Sequence, residues 1–332
     1  MIQDSVLGSI GNTPVVALRR LFADPGVEVL AKLEFLNPGG SIKDRVARHI
    51  VEQGLSSGAI TPASHLLESS SGNFGIALAM VCRVHRLPVT VVVDPNATRM
   101  NLFLLRQLGA RLDMVTTPDA TGGGYLHERL RRVRELAATV PGAIWVNQYA
   151  NDLSWQAHAT TGREILQQVP GRIDCLVAAV GTAGTIHGVA RVLRRAHPDL
   201  RVVAVDAVGS VIFGGRPAPR RIPGIGAGRV PELLRPDEID EVIEVTDDEA
   251  IDGCHRLLAA EGILAGGSSG SLVAALDRLV PRLPPPARVL TLLPDRGERY
   301  VGLVYGGNRG GEGIAESRDV MIADSAIPGQ TR

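Results

Sequence analysis

The sequence predicts an α/β protein built on mainly parallel sheets covered by helices. Short β-rich runs alternate with helix-periodic segments along most of the chain, the pattern of strands joined by helical crossovers. Hydrophobic residues make up 45% of the chain and aromatics only 3%, which suits a core of aliphatic strands and small-residue helices. The 38 glycines supply the tight turns that such an alternation requires.

In chain order, Val27 to Glu34 reads as a strand, with Lys32 and Glu34 as partners on one face. Pro38-Gly39-Gly40 breaks that strand, Ser41 is a good helix N-cap, and Ile42, Val46, Ile50 and Val51 then recur at helical spacing. Further strands are predicted over 89–93, 143–147, 173–180, 201–206 and 288–293, and further helices over 74–85, 101–108, 186–195, 247–261 and 272–280. The Gly/Pro/Arg-rich stretch 214–228 is too long for a connector and reads as a site loop. The chain shows no internal repeat, and after Tyr305 it turns Gly-rich and polar, as a loose tail would.

A formal net charge of zero gives no global drive toward nucleic acid or an anionic membrane. Arg129, Arg131, Arg132 and Arg134 sit beside Glu128 and Glu135 and read as a solvated helix face. Cys82, Cys175 and Cys254 are widely spaced in apolar segments without a CxxC, the pattern of buried free thiols in a reducing compartment, and no metal site is expected. With no signal-peptide pattern and no apolar run of membrane-spanning length, the expectation is a soluble cytoplasmic protein.

Lys32 and Lys43 are the only lysines among 35 basic residues. Arginine stays protonated, whereas a lysine amine can lose its proton, attack a carbonyl and form a Schiff base. Genome composition alone could leave two stray lysines, and Lys32 fits that account. Lys43 emerges in the first turn of a helix, where the macrodipole disfavours a cation and lowers its pKa in principle.

Three glycine-serine loops offer anion sites. Ser69-Ser70-Ser71-Gly72-Asn73 precedes a helix and could hold a carboxylate or phosphate, or could simply cap that helix. Gly181-Thr182-Ala183-Gly184-Thr185 joins a strand to a helix and offers a phosphate cradle without a nucleotide fingerprint. Gly266-Gly267-Ser268-Ser269-Gly270 matches the G-x-S-x-G nucleophile elbow, but all eight histidines precede Ser268, against the hydrolase order. A Schiff-base lysine, a phosphate cradle and a second anion loop together describe a pyridoxal 5′-phosphate enzyme acting on amino acids.

At these motifs, in this order, the chain resembles the fold-type II pyridoxal-phosphate enzymes of the cysteine synthase/cystathionine β-synthase family, tryptophan synthase β-like in fold, over roughly residues 5 to 305. The resemblance implies two α/β domains with mainly parallel sheets: a large one from 1–40 and 150–310, a small mobile one from 41–149, and a loose tail over 311–332. It implies that Lys43 carries the cofactor aldehyde, Asn73 bonds the cofactor 3′-oxygen, Gly181, Thr182, Ala183, Gly184 and Thr185 hold the phosphate, and Ser268 faces the pyridine nitrogen. Ser70 and Ser71, with Gln148 and Tyr149 of Asn147-Gln148-Tyr149, would bind the substrate. A homodimer without nucleic-acid or membrane partners is also implied.

The departures narrow the resemblance. Phe74 follows Asn73 where the family usually has threonine, Ala183 replaces a glycine, and Asp295-Arg296-Gly297 replaces Asp-Ser-Gly. These variants are similar to a narrower group that joins O-phospho-L-serine to L-glutamate, giving N-(2-amino-2-carboxyethyl)-L-glutamate on the way to L-2,3-diaminopropionate for siderophores and peptide antibiotics. A dianionic leaving group and a dicarboxylate acceptor call for cations, and Arg216, Arg220, Arg221, Arg229 and above all Arg296 are the candidates. The alternatives are a sulfhydrylase that makes cysteine from O-phosphoserine or O-acetylserine, and a non-catalytic cofactor-binding scaffold.

Overall fold

The computed structural model describes residues 2–119 and 124–306; the predicted tail over 311–332 lies outside them. The elements run β1 (Val15–Ala17), β2 (Val27–Leu33), α1 (Lys43–Ser57), β3 (His65–Glu68), α2 (Asn73–His85), β4 (Val89–Val93), α3 (Arg99–Gln107), β5 (Arg111–Met114), α4 (Gly124–Thr139) and β6 (Ala143–Trp145). They continue with α5 (Leu153–Gln168), β7 (Cys175–Ala179), α6 (Gly184–Ala196), β8 (Arg201–Ala207), β9 (Glu241–Val245), α7 (Asp247–Glu261), α8 (Gly267–Leu279) and β10 (Ala287–Leu293). The strands form a six-stranded sheet, β1-β2-β10-β7-β8-β9, and a four-stranded sheet, β5-β4-β3-β6. Every pairing is parallel except the edge pair β1 and β2. This is the predicted α/β class. The four-stranded sheet uses strands from 65–145, and those of the six-stranded sheet flank that span in sequence.

Burial explains the composition of the inner elements. All five residues of β4 are buried, as parallel strands covered on both faces must be. Helix α2 buries Phe74 to Cys82 without a break, so it has no polar face and lies within the core. Helix α7 is opened by a capping box, with Thr246 Oγ1 accepting from the Glu249 N–H and Glu249 accepting from the Thr246 N–H.

Helix α8 begins at Gly267, five residues before its predicted start at 272. The run Gly267 to Ser271 reads as a loop because it lacks apolar periodicity, yet all five residues are buried helix. The glycines serve close helix contact instead of a turn. A Cβ on Gly270 would lie 1.9 Å from the Ala250 carbonyl oxygen, and one on Gly253 would lie 2.2 Å from that of Gly270.

Two surface readings are corrected. Arg131 does pair with Glu128 and Glu135 at the surface, but Arg129 turns inward to Asp94 (Nε to Oδ2, 3.1 Å) and Arg134 lies over the Trp145 ring at 5.8 Å. Lys32 is fully buried and its ionic partner is Glu164 (2.9 Å), with Thr13 O and Gln168 Oε1 as its further acceptors. Glu34 is already held by Arg45 of α1, through Nε (2.6 Å) and a terminal nitrogen (2.8 Å), and by Thr13 and Asn37. The planar fork of Arg45 matches a carboxylate better than an ammonium does. Arg45 also donates to both oxygens of Glu164, so Lys32, Arg45, Glu34 and Glu164 form one buried quartet of balanced charge. Burial opposes the charge on Glu164, but Arg45 and Lys32 hold its carboxyl down to about 2. The three cysteines are buried and free, as expected, and among the described residues no helix is long and apolar enough to cross a membrane.

Two stability measurements follow. Arg45→Met strands the buried Glu34 carboxylate and leaves the half-buried Glu164 with Lys32 alone, and is expected to lower the free energy of unfolding by ~3–5 kcal/mol in urea titration; a loss under ~1 kcal/mol would mean the quartet is not coupled. Ala183 holds φ +66 at the start of α6, a left-handed conformation that disfavours a Cβ. Ala183→Gly is therefore expected to raise stability by ~1 kcal/mol in the same assay.

Candidate active site

Four helix N-termini carry the motif residues. Lys43 is the first residue of α1, Asn73 of α2 and Gly184 of α6, and Ser268 is the second of α8. One cavity is walled by Lys43, Asn73, Ser268, Asp295, Gly224 and the loop residues Gly181, Thr182, Ala183 and Thr185. Glycine and helix start go together here because unpaired N–H groups in the first turn need open space to meet a ligand.

The lysine turn is fixed from both sides. Gly40 takes φ +83, the Gly39 N–H donates to Asp44 Oδ2, and the Ile42 N–H donates to Pro294 O at 2.8 Å. A Cβ on Gly39 would meet Asp44 Oδ1 at 2.4 Å, so only glycine lets this carboxylate close the turn. Ser41 Oγ accepts the Lys43 N–H at 3.3 Å, but the cap position falls one residue later than predicted, at Ile42, which makes no side-chain cap bond. Lys43 is half-buried, and the surface it exposes is toward the cavity whose wall it forms. Dehydration pushes its amine down to about 8, opposed by the charge of Asp295. The helix dipole gave the direction of this shift; dehydration in the closed wall is its main cause.

The loop 181–185 is shaped by close backbone contacts. A Cβ on Gly181 would lie 3.0 Å from the Gly224 carbonyl oxygen, and the Gly226 N–H donates to Val180 O at 2.8 Å. The long loop 214–228 therefore packs directly on the cradle. Thr185 Oγ1 lies 3.2 Å from His158 Nε2, and burial pushes that imidazole well below its ordinary range, so it stays neutral. Bare glycine backbone at a helix start, a dehydrated amine and the Ser268 hydroxyl in one wall fit a phosphorylated aldehyde such as pyridoxal phosphate.

Ser70, Ser71, Gln148 and Tyr149 lie outside this wall, and a buried acid links their segments. Glu68 Oε1 accepts the Ser69 N–H at 2.7 Å and Oε2 accepts the Gln148 N–H at 3.3 Å. Burial pushes Glu68 up to about 7, against the pull of those hydrogen bonds. Ser70 Oγ accepts the Gly75 N–H at 3.2 Å. A Cβ on Gly75 would meet Ser70 O at 2.0 Å, so the serine loop folds tightly over the start of α2.

The arginines separate into two kinds. Arg221 pairs with Asp247 and Asp248 in solvent, and Arg216 is exposed. Arg229 pairs with Glu232 (3.3 Å) and also lies over the Tyr149 ring at 5.1 Å. Burial raises the Tyr149 phenol, while the positive charges of Arg129, Arg229 and Arg220 act on it in the opposite direction. Arg296 does not line the cavity. Its Nε donates to Phe35 O at 3.0 Å, and it borders an outer groove with Pro38, Gly39 and Met80.

Sequence reasoning missed Glu68, Arg129, Asp295 and Arg299. Asp295 is buried in the cavity wall with Oδ1 unpartnered, and Arg299 reaches the amide of Asn73. Their signal was present in the variant run Asp295 to Tyr300, but it pointed to Arg296.

Comparison with known proteins agrees with this geometry. A family model for pyridoxal-phosphate dependent enzymes matches residues 6–295. The chain is 56% identical over 306 residues to an N-(2-amino-2-carboxyethyl)-L-glutamate synthase of Ralstonia nicotianae, covering 92% of this chain and 90% of that protein. It is 55% identical over 309 residues to the protein of that name in Cupriavidus metallidurans, with the same coverage. Among solved structures, the O-acetylserine dependent cystathionine β-synthase of Helicobacter pylori has a TM-score of 0.86 at 33% identity, over 92% of this chain and 99% of that one. O-ureido-L-serine synthase gives 0.86 at 34% identity, over 94% and 98%. Because the matched span takes in both sheets and every residue of the cavity wall, the chain belongs to the pyridoxal-phosphate dependent enzymes.

Proposed function

We propose that this enzyme joins O-phospho-L-serine to L-glutamate by β-replacement: the glutamate nitrogen bonds to Cβ of the serine skeleton, the Cβ–O bond breaks, and phosphate leaves. The product, N-(2-amino-2-carboxyethyl)-L-glutamate, leads toward L-2,3-diaminopropionate for a siderophore or peptide antibiotic. The observation that carries this reading is Arg229 lying over the Tyr149 ring, next to the Gln148 segment, with the positive charges of Arg129 and Arg220 also acting on that phenol. A phosphate dianion and a second dicarboxylate need such cations, whereas sulfide needs none. Identity of 55–56% to synthases of that name over nine-tenths of their length supports the same reaction.

Pyridoxal phosphate, when bound, supplies an aldehyde for amine capture and a ring that takes up electron density from Cα. Lys43 would hold that aldehyde, and its amine would take the Cα proton; an amine pushed down to about 8 has a neutral fraction near neutral pH. The first-turn N–H groups of Gly181 to Thr185 hold the phosphate. Ser268 offers a neutral hydroxyl to the ring nitrogen, which limits charge delocalisation into the ring and favours elimination over transamination. Ser70, Ser71 and Gln148 bind the α-carboxylate, with Glu68 fixing the spacing of their backbones. Residues 41–149 act as the smaller domain, closing on substrate over 1–40 and 150–310. The enzyme works as a homodimer in the cytoplasm, a compartment that its three buried free thiols favour.

Product analysis tests the reaction. Enzyme given O-phospho-L-serine with equal L-glutamate and sulfide should yield mainly the glutamate adduct by mass spectrometry, with O-acetyl-L-serine a poorer donor. Cysteine as the main product would make it a sulfhydrylase, and no product with unchanged cofactor absorbance would make it a scaffold. Cofactor uptake tests the amine. Because the neutral form attacks the aldehyde and the pKa is lowered to about 8, the rate of loading apoenzyme should rise with pH and level off above about 8, and Lys43→Ala should abolish the covalent link. A rate still climbing toward pH 10 would mean an unperturbed lysine.

A further inference from the structure

The side-chain amide of Asn73 is gripped at both ends by residues that no reading above assigns a role. Its Nδ2 donates to Asp295 Oδ2 at 2.6 Å and lies 3.3 Å from the Tyr300 hydroxyl. Its Oδ1 accepts from one terminal nitrogen of Arg299. Tyr300 donates to the same Asp295 oxygen, so that carboxylate faces only donors on this side. The other terminal nitrogen of Arg299 donates to Gly39 O, in the turn that leads to Lys43. Asp295 and Tyr300 are 4% and 6% exposed, so water does not substitute for these contacts.

An amide is nearly symmetric in shape but not in hydrogen bonding, since the nitrogen only donates and the oxygen only accepts. Turning Asn73 over would set its NH₂ against a guanidinium and its oxygen against a carboxylate. The neighbours therefore dictate which end sits where. The nitrogen carries two protons, one given to Asp295 at 2.6 Å and the other to the Tyr300 oxygen at 3.3 Å; because Asn73 is part of the cavity wall, this longer second contact is the one that a bound ligand oxygen would replace.

We propose that Arg299, acting with Asp295 and Tyr300, is a positioning clamp that makes Asn73 present a donor to the cofactor's 3′-oxygen, and that the same guanidinium ties this orientation to the turn carrying Lys43. The inference rests on the assignment of Asn73 to that oxygen. A donor there stabilises the charged oxygen and keeps the proton on the nitrogen joined to Lys43; without it the proton moves to the oxygen. The two tautomers absorb in the visible and the near ultraviolet respectively, so the clamp is read in the resting, cofactor-loaded protein with no substrate present.

Absorbance spectra of the loaded wild type, Asn73→Ala, Arg299→Met, Arg299→Lys and the Asn73→Ala/Arg299→Met double variant decide it. Arg299→Met should shift the visible to near-ultraviolet ratio about five-fold toward the near ultraviolet, the size that one ordinary net hydrogen bond commands. Asn73→Ala should do the same, the double variant should shift no further, and Arg299→Lys should recover part of the visible band. If Asn73→Ala leaves the ratio unchanged, the assignment of Asn73 is wrong and the clamp falls with it. If Asn73→Ala moves the ratio and Arg299→Met does not, or if Arg299→Met still moves it in the Asn73→Ala background, the assignment stands and the clamp alone is overturned. Should Arg299→Met not fold, Arg299→Gln, too short to span Asn73 and Gly39, is read in the same way.

Discussion

A lysine amine dehydrated inside protein is the constraint on which the rest of this structure depends. Dehydration gives Lys43 its lowered pKa, and dehydration also removes the water that would otherwise hold a charged chain in place. The position of the amine is therefore fixed by charges that do not face it. Arg45, two residues on, anchors the first turn of α1 to Glu34 after β2 and to Glu164 on α5. Burial works against the Arg45 charge, but Glu164 and Glu34 outweigh it. Lys32 balances the second glutamate. A buried quartet of this kind is a poor source of net stability compared with apolar packing. Its value lies in direction, because a fork held by two carboxylates from different elements leaves α1 little freedom to rotate.

The helix starts distribute the remaining work. A chain with zero formal net charge still makes strongly positive sites where several first turns point into one cavity. Charges that serve surface solvation are paired along their own helix or across an edge, as Arg131 and Arg221 are. Arg129 instead meets the buried Asp94, and Arg229 pairs with Glu232 while also lying over the Tyr149 ring.

Legibility in the sequence followed the locality of the cause. The bounds of β4 and α7 could be read directly, since an unbroken β-branched run and a Thr246/Glu249 capping box are local signals. The start of α8 was hidden because Gly267 and Gly270 answer to segments distant in sequence, Ile222 for the one and Ala250 for the other, and not to a turn. The partner of Lys32 was hidden for the same reason, since Glu164 comes from a helix far along the chain. The motifs around Lys43, Asn73, Gly181 and Ser268 were legible because each carries its chemistry in a few consecutive residues, and the fold brings them to one cavity.

Arg296 and Arg299 show where such reading stops. Both stand in the variant run that ends β10, both are cations, and Arg296 occupies the position where the resemblance predicted a serine beside the cofactor. The backbone decides between them. Arg296 N–H donates to Gly40 O and the side chain is carried outward to Phe35 O. The next turn, Gly297–Tyr300, brings Arg299 and Tyr300 back to Asn73, more than two hundred residues earlier in the chain. Gly297 permits that turn because its Cβ position is already crowded by Leu264, the Ala265 carbonyl and Tyr305. A glycine that packs the C-terminal segment onto α8's leading strand of chain thus determines which of two arginines meets the active-site amide, and only the three-dimensional contacts of that glycine reveal it.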